Sequence, residues 1–161
     1  MDQGGIDERV NWQVGSEFWP IAAVPIVSKI FALRKPGTKS IMIPVLMVRD
    51  VSEAIAFYAC VLVFELALAT PSDAPFSAIL TRYADELHIS VAEVPSRIAQ
   101  ASCIVLCQDV DALFAKFVAR GLSVPTRQDS PVHQGPMDQT WGTREVYIDD
   151  PSGNTIIFQQ R

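Results

Sequence analysis

The sequence predicts an α+β domain built from two successive βαβββ modules. Three observations carry that reading. A strand, a helix and three strands follow one another from residue 41, and the same order returns from residue 103. The C-terminus reads as a hairpin, with strand-like alternation over 143–149, turn chemistry in Asp150-Pro151-Ser152-Gly153, and a β-branched and aromatic run over 155–159. Finally, 49% of the 161 residues are hydrophobic, which is enough for one sizeable core.

Residues 1–40 differ from the rest. Asp2, Asp7 and Glu8 stand where a secretory signal would be basic, and Pro20 and Pro25 break the apolar run 18–33. Residues 34–39 read as a linker, and Met42, at the start of the first convincing strand, is a candidate translation start. The expectation is an appendage over 1–40 and a domain over 41–161, with modules at about 41–94 and 102–161.

Within the first module, 41–48 is strand-like and Asp50 is placed to cap a helix over 51–62, where Ala54, Ile55, Phe57, Tyr58 and Leu62 recur at helical spacing. Strands are expected over 65–70, 76–83 and 86–93, separated by turns at 71–75 and 84–85, with 95–101 as a connection. In the second module, 103–108 is a strand. Asp109 or Asp111 caps a helix carrying Leu113, Phe114, Phe117 and Val118, which ends at Arg120-Gly121. A strand is expected over 122–125 and a long polar loop over 126–140, ahead of the closing hairpin.

The net charge of −5 and a pI near 4.9 argue against nucleic acid as a partner, since phosphate contacts need a basic surface. No run reaches the ~18 apolar residues of a membrane helix, so no membrane partner is expected. Cys60, Cys103 and Cys107 have no framework spacing and read as free cytoplasmic thiols. Cys103 and Cys107, on one strand, would stand roughly 13–14 Å apart, too far for a disulfide.

Several runs, in order, resemble the vicinal-oxygen-chelate superfamily, the glyoxalase, bleomycin-resistance and extradiol-dioxygenase group. They are Pro44-Val45-Leu46 with Asp50 and Phe57-Tyr58; Leu87-His88-Ile89-Ser90; Asp109 with Asp111-Ala112-Leu113; and Trp141-Gly142, Arg144-Glu145 and Asp150-Pro151-Ser152-Gly153-Asn154. The chain looks most like the bleomycin-resistance proteins. The resemblance implies paired βαβββ modules forming a cupped sheet, and a homodimer with ligand clefts at or near the subunit interface. One departure is local. The family usually ends its first helix with Leu-Gly-Phe, whereas this chain has Leu62-Val63-Phe64, so the helix exit is expected to be different or strained.

Strand alternation sorts the side chains into two faces. One face, with Pro44, Leu46, Val48, Leu87, Ile89, Val91, Ile104, Leu106, Val146, Ile148, Ile156 and Phe158, is apolar and is expected to pack on the helices. The other carries Met47, Glu86, His88, Ser90, Cys103, Trp141, Glu145 and Tyr147 together with apolar residues. These eight are the candidate ligand-binding residues, because the resembled fold places its ligand cup on that face. The metal positions of the superfamily's enzymes carry over to Ile43, His88, Cys103 and Ile157. Two isoleucines cannot ligate, so no metal, cofactor or catalytic residue is expected.

The function the resemblance implies is metal-independent sequestration of a flat cationic ligand such as a bleomycin-like glycopeptide antibiotic. Trp141 either stacks on the ligand, with Tyr147 as a second wall, or plugs the barrel end or the dimer seam. Glu86 and Glu145 either receive the cation or pair with basic side chains, and His88 either touches ligand or is satisfied by a neighbour. The alternatives are a metal-dependent lyase or dioxygenase of the same superfamily, and a metal-free member with another small-molecule ligand.

Overall fold

The computed structural model describes residues 42–92 and 100–161, so the expected appendage and most of the 95–101 connection lie outside the described residues. The first module runs β1 (Val45–Val48), α1 (Val51–Cys60), β2 (Glu65–Thr70), β3 (Ser77–Arg82) and β4 (Asp85–Val91). The second runs β5 (Ser102–Leu106), α2 (Val110–Ala119), a 3₁₀ turn (Pro131–His133), β6 (Met137–Asp138), β7 (Arg144–Asp149) and β8 (Thr155–Gln160). Two four-stranded mixed sheets result, ordered β1-β4-β3-β2 and β5-β8-β7-β6. This is the expected α+β architecture of paired βαβββ modules. No helix among the described residues is long and apolar enough to cross a membrane.

Both helices begin as their sequences require. Asp50 accepts the Glu53 N–H and Asp109 accepts the Ala112 N–H, each satisfying a donor that the first turn leaves open. At the exit of α1, Val63 holds φ of 63°, the left-handed conformation that glycine adopts freely and a β-branched residue resists. Strain at the Leu62-Val63-Phe64 departure is therefore real.

One core serves both modules. Leu46, Val48, Tyr58, Leu80 and Ile89 from the first join Phe117, Val146, Ile156 and Phe158 from the second. The junction is fastened by the Asp150–Asn154 turn. Asp150 accepts the Ser152 and Asn154 N–H groups through one oxygen and the Tyr58 hydroxyl and Asn154 amide through the other. Asn154 also donates to the Met47 carbonyl and accepts the Ala101 N–H, while Arg49 bonds to Pro151 and Ser152. Gly153, at φ of 92°, permits this tight return. Burial raises the Tyr58 phenol well above its ordinary value, and the adjacent Asp150 carboxylate adds to the rise, so Tyr58 is a fixed donor.

Two expectations fail. Residues 122–125 form no strand; the slot beside β7 is taken by Met137–Asp138, inside the expected loop. The phase of β5 is also reversed. Pairing with β8 aligns Cys103 with Ile156 and Val105 with Phe158, so Cys103, Val105 and Cys107 pack on the core. Ile104 and Leu106 face the other way and are 56% and 57% exposed. Cys103 thus leaves the expected ligand face. All three cysteines are free thiols, and burial, with a smaller contribution from Asp150, pushes Cys103 up to about 11.

Candidate functional site

The faces turned away from the shared core are where a ligand could be held. On the first sheet, register aligns Val45, His88 and Ile79 across three strands, with Met47, Ser90 and Ser77 as the next rung. On the second, Ile104, Ile157 and Tyr147 form one rung and Leu106, Gln159 and Glu145 the next. The seven candidates other than Cys103 therefore divide. Met47, Glu86, His88 and Ser90 belong to the first sheet; Glu145 and Tyr147 lie on the second, with Trp141 just ahead of β7.

Glu145 organises its half. Its side chain is buried, with the residue 2% exposed, yet four neutral donors converge on it. Oε1 accepts from Trp141 Nε1 at 3.0 Å, Thr143 Oγ1 at 2.6 Å and Gln159 Nε2 at 2.6 Å; Oε2 accepts from the Tyr147 hydroxyl at 3.1 Å. Burial is the largest single influence and pushes this carboxyl up. The bonds from Thr143, Trp141, Gln159 and Tyr147 together outweigh it, so the group rests below the ordinary carboxylate value. Among the described residues Glu145 pairs with neither Arg nor Lys. Its oxygens are occupied, and what it presents to solvent is the Trp141 indole, 63% exposed and fixed at its nitrogen.

The other half is simpler. His88 Nε2 lies 2.7 Å from Glu86 Oε1 across the alternation of β4, so the half-buried histidine has a neighbouring partner. Ser90 donates to the Phe76 carbonyl.

Residues beyond the eight build the surround. Arg144 forks onto Asp111 at 2.7 and 2.8 Å and reaches Asp138 at 3.0 Å, tying α2 and β6 to the strand that carries Glu145. The hydrogen bond to Arg144 is the main reason Asp111 is held below its ordinary value. His133, in the long loop, is anchored by Ser130 at Nδ1 (2.7 Å) and Asp149 at Nε2 (3.4 Å), and its ring meets Tyr147 edge-on at 5.6 Å. A cavity of about 280 Å³ opens there, between Leu122, Pro125, Arg127, His133, Tyr147 and Asp149. The Ser-x-x-His spacing of one helical turn was the available signal for this anchoring.

A resident metal does not fit these residues. Among the described residues no three His, Cys, Asp or Glu side chains gather into a metal-holding group. Val45 and Ile79 flank His88, Ile104 pairs with Ile157, and Cys103 points to the core.

Comparison with known proteins gives the same fold. A bleomycin-binding protein from bleomycin-producing Streptomyces verticillus, solved with copper(II)-bleomycin, is 28% identical with a TM-score of 0.57, over 75% of this chain and 96% of that one. Another bleomycin-binding protein, solved with bleomycin, is 21% identical with a TM-score of 0.61, over 76% and 99%. A lactoylglutathione lyase from Agrobacterium tumefaciens is 22% identical with a TM-score of 0.59, over 76% and 94%. No curated protein sequence matches. The family profile described as the Glyoxalase/Bleomycin resistance protein/Dioxygenase superfamily matches residues 40–158. With the paired modules and the runs quoted above, that match places the chain as a member of the glyoxalase/bleomycin resistance protein/dioxygenase superfamily.

Proposed function

We propose that this protein binds a flat, basic small molecule against Trp141 and Tyr147 and acts by sequestration, without making or breaking a bond. The observation that carries this reading is the exposed Trp141 indole held at its nitrogen by the buried Glu145 carboxylate. A fixed aromatic face suits planar and cationic groups and loses little freedom on binding. Glu145 acts as a positioning residue, and the ligand's charge is met by aromatic rings. The bleomycin-binding proteins among the structural neighbours support a bleomycin-like ligand.

The ligand cleft belongs to a homodimer. Val45 and Ile104 are each more than half exposed on the open sheet faces, a pattern that fits coverage by a second copy. In that arrangement the first sheet of one copy, with His88 and Glu86, closes over the second sheet of the other. Ile104→Glu is then expected to yield a monomer by light scattering, and a dimer unaffected by this change would sink the assignment.

The binding test is a fluorescence titration with bleomycin, metal-free and copper-loaded, in a Trp12→Phe, Trp19→Phe background that leaves Trp141 alone. A saturable change at micromolar ligand, lost in Trp141→Ala with the dimer intact, is the expected result. No change at high micromolar ligand would leave another small molecule as the ligand. Stoichiometric zinc, nickel or iron in untagged protein would replace sequestration by lyase or dioxygenase chemistry.

A further inference from the structure

A second cleft, of about 610 Å³, opens between the β3–β4 turn and the start of α2, and Arg82, Tyr83, Leu106, Leu113 and Lys116 line it. Arg82 is the anomaly there. It is 7% exposed, and its Nε is the one buried side-chain nitrogen or oxygen without a hydrogen-bond partner among the described residues. The guanidinium makes no ion pair among the described residues. Three rings surround it, with its Cζ 5.3 Å from the centre of Phe158, 5.5 Å from Tyr83 and 5.9 Å from Phe64. Ring faces return part of the lost hydration of a cation but supply no acceptor oxygen.

We propose that this cleft is a binding site for an organic monocarboxylate, with Arg82 taking the carboxylate, Lys116 assisting, and Leu106, Leu113 and Tyr83 receiving the apolar body. The planar guanidinium matches a carboxylate as a two-pronged donor. Two further charges line the cleft, Asp85, which pairs across the turn with Arg82, and Asp109, the cap of α2. Neither forms an ion pair with Arg82, and together they balance Arg82 and Lys116. A dianion such as phosphate would meet both carboxylates, whereas a single negative charge is tolerated, which favours the monocarboxylate. Burial holds the Arg82 guanidinium below its ordinary value, and the nearby Asp85 charge offsets only part of that. The site does not include Trp141, so its failure leaves the sequestration reading untouched, and the reverse also holds.

The test is an amide NMR titration of the full chain with sodium benzoate, with inorganic phosphate in parallel. Saturable shifts at Tyr83, Leu106 and Lys116 with benzoate are expected at about millimolar affinity, with weaker response to phosphate. Lys116→Gln, a surface change, should weaken benzoate several-fold, and Arg82→Met should abolish the shifts while the spectrum stays dispersed. Should Arg82→Met not fold, the wild-type and Lys116→Gln titrations decide. Absence of saturation up to about 20 mM, equal binding by a folded Arg82→Met, or preference for phosphate would each overturn the proposal.

Discussion

Replacing Glu145 by Gln keeps the shape of the side chain and removes its charge. Oε1 accepts three hydrogen bonds and Oε2 one, so a glutamine carbonyl can retain the first three, and the Tyr147 hydroxyl can turn to accept from the new amide. The loss is then charge assistance. A bond to a charged acceptor contributes roughly 1.5–3 kcal/mol against about 1 for a neutral one. Three bonds give about 3 kcal/mol, and discounting the partly exposed Trp141 and Thr143 leaves about 2 kcal/mol. Glu145→Ala, which strands the buried Gln159 amide as well, should cost more, about 4 kcal/mol. The pH dependence has a fixed sign. Because the folded state holds this carboxyl below its ordinary value of 4.5, its contribution is fully present above that value and fades as pH falls through the lower folded one. Urea denaturation of wild type and Glu145→Gln should therefore differ by a constant amount from pH 7 to about pH 5 and converge in acid. In the single-tryptophan background, Glu145→Gln should also lower the fluorescence anisotropy of Trp141. Equal stability at pH 7, or a difference that does not shrink in acid, would refute the anchoring role.

Changes at two further positions probe the scaffold. Val63→Gly relieves about 1–2 kcal/mol of left-handed strain but gives up a half-buried side chain and stiffness in the unfolded chain, so a net change within about 1 kcal/mol is expected. Val63→Ala keeps the Cβ conflict and should be the less stable of the two by about 1 kcal/mol in urea denaturation; the opposite order would deny the strain. Asn154→Ala removes the links to Met47, Asp150 and Ala101 and should cost about 3 kcal/mol in the same assay, and a cost under about 1 would mean the clamp is redundant.

Local chemistry was legible where each signal had one meaning. Asp50 and Asp109 sit three residues before the amides they cap, and β4 alternates Glu86, His88 and Ser90 against Leu87 and Ile89, so its faces were unambiguous. In β5, Cys103-Ile104-Val105-Leu106 is apolar on both sides. Alternation put Ile104 and Leu106 on the core face with nothing polar to fix the phase, and pairing with β8 placed them outside. β6 spans two residues, too few for any period to show. The Asp150–Asn154 run read as a turn, but its clamp on Arg49, Met47 and Tyr58 joins positions more than 90 residues apart, which spacing does not reveal.

The network around Glu145 changes what the proposed site should select. An open carboxylate would attract any cation, weaken with salt and reward charge above shape. Here the carboxylate is enclosed by four donors from its own hairpin, and the surface it supports is an indole face beside a phenol. Such a surface gains from overlap with a planar group, and from positive charge only when that charge lies over the ring. Holding the indole at its nitrogen lowers the entropic cost of binding for every flat ligand alike, so selectivity must come from whatever closes over Trp141. On the proposed dimer that lid is the partner's first sheet, with the His88–Glu86 pair among the apolar residues Val45 and Ile79. Affinity would then depend on Trp141 and Glu145, and ligand identity on the His88 sheet. Variants at the two places should separate accordingly, with Trp141 changes weakening all planar ligands and His88 changes reordering them.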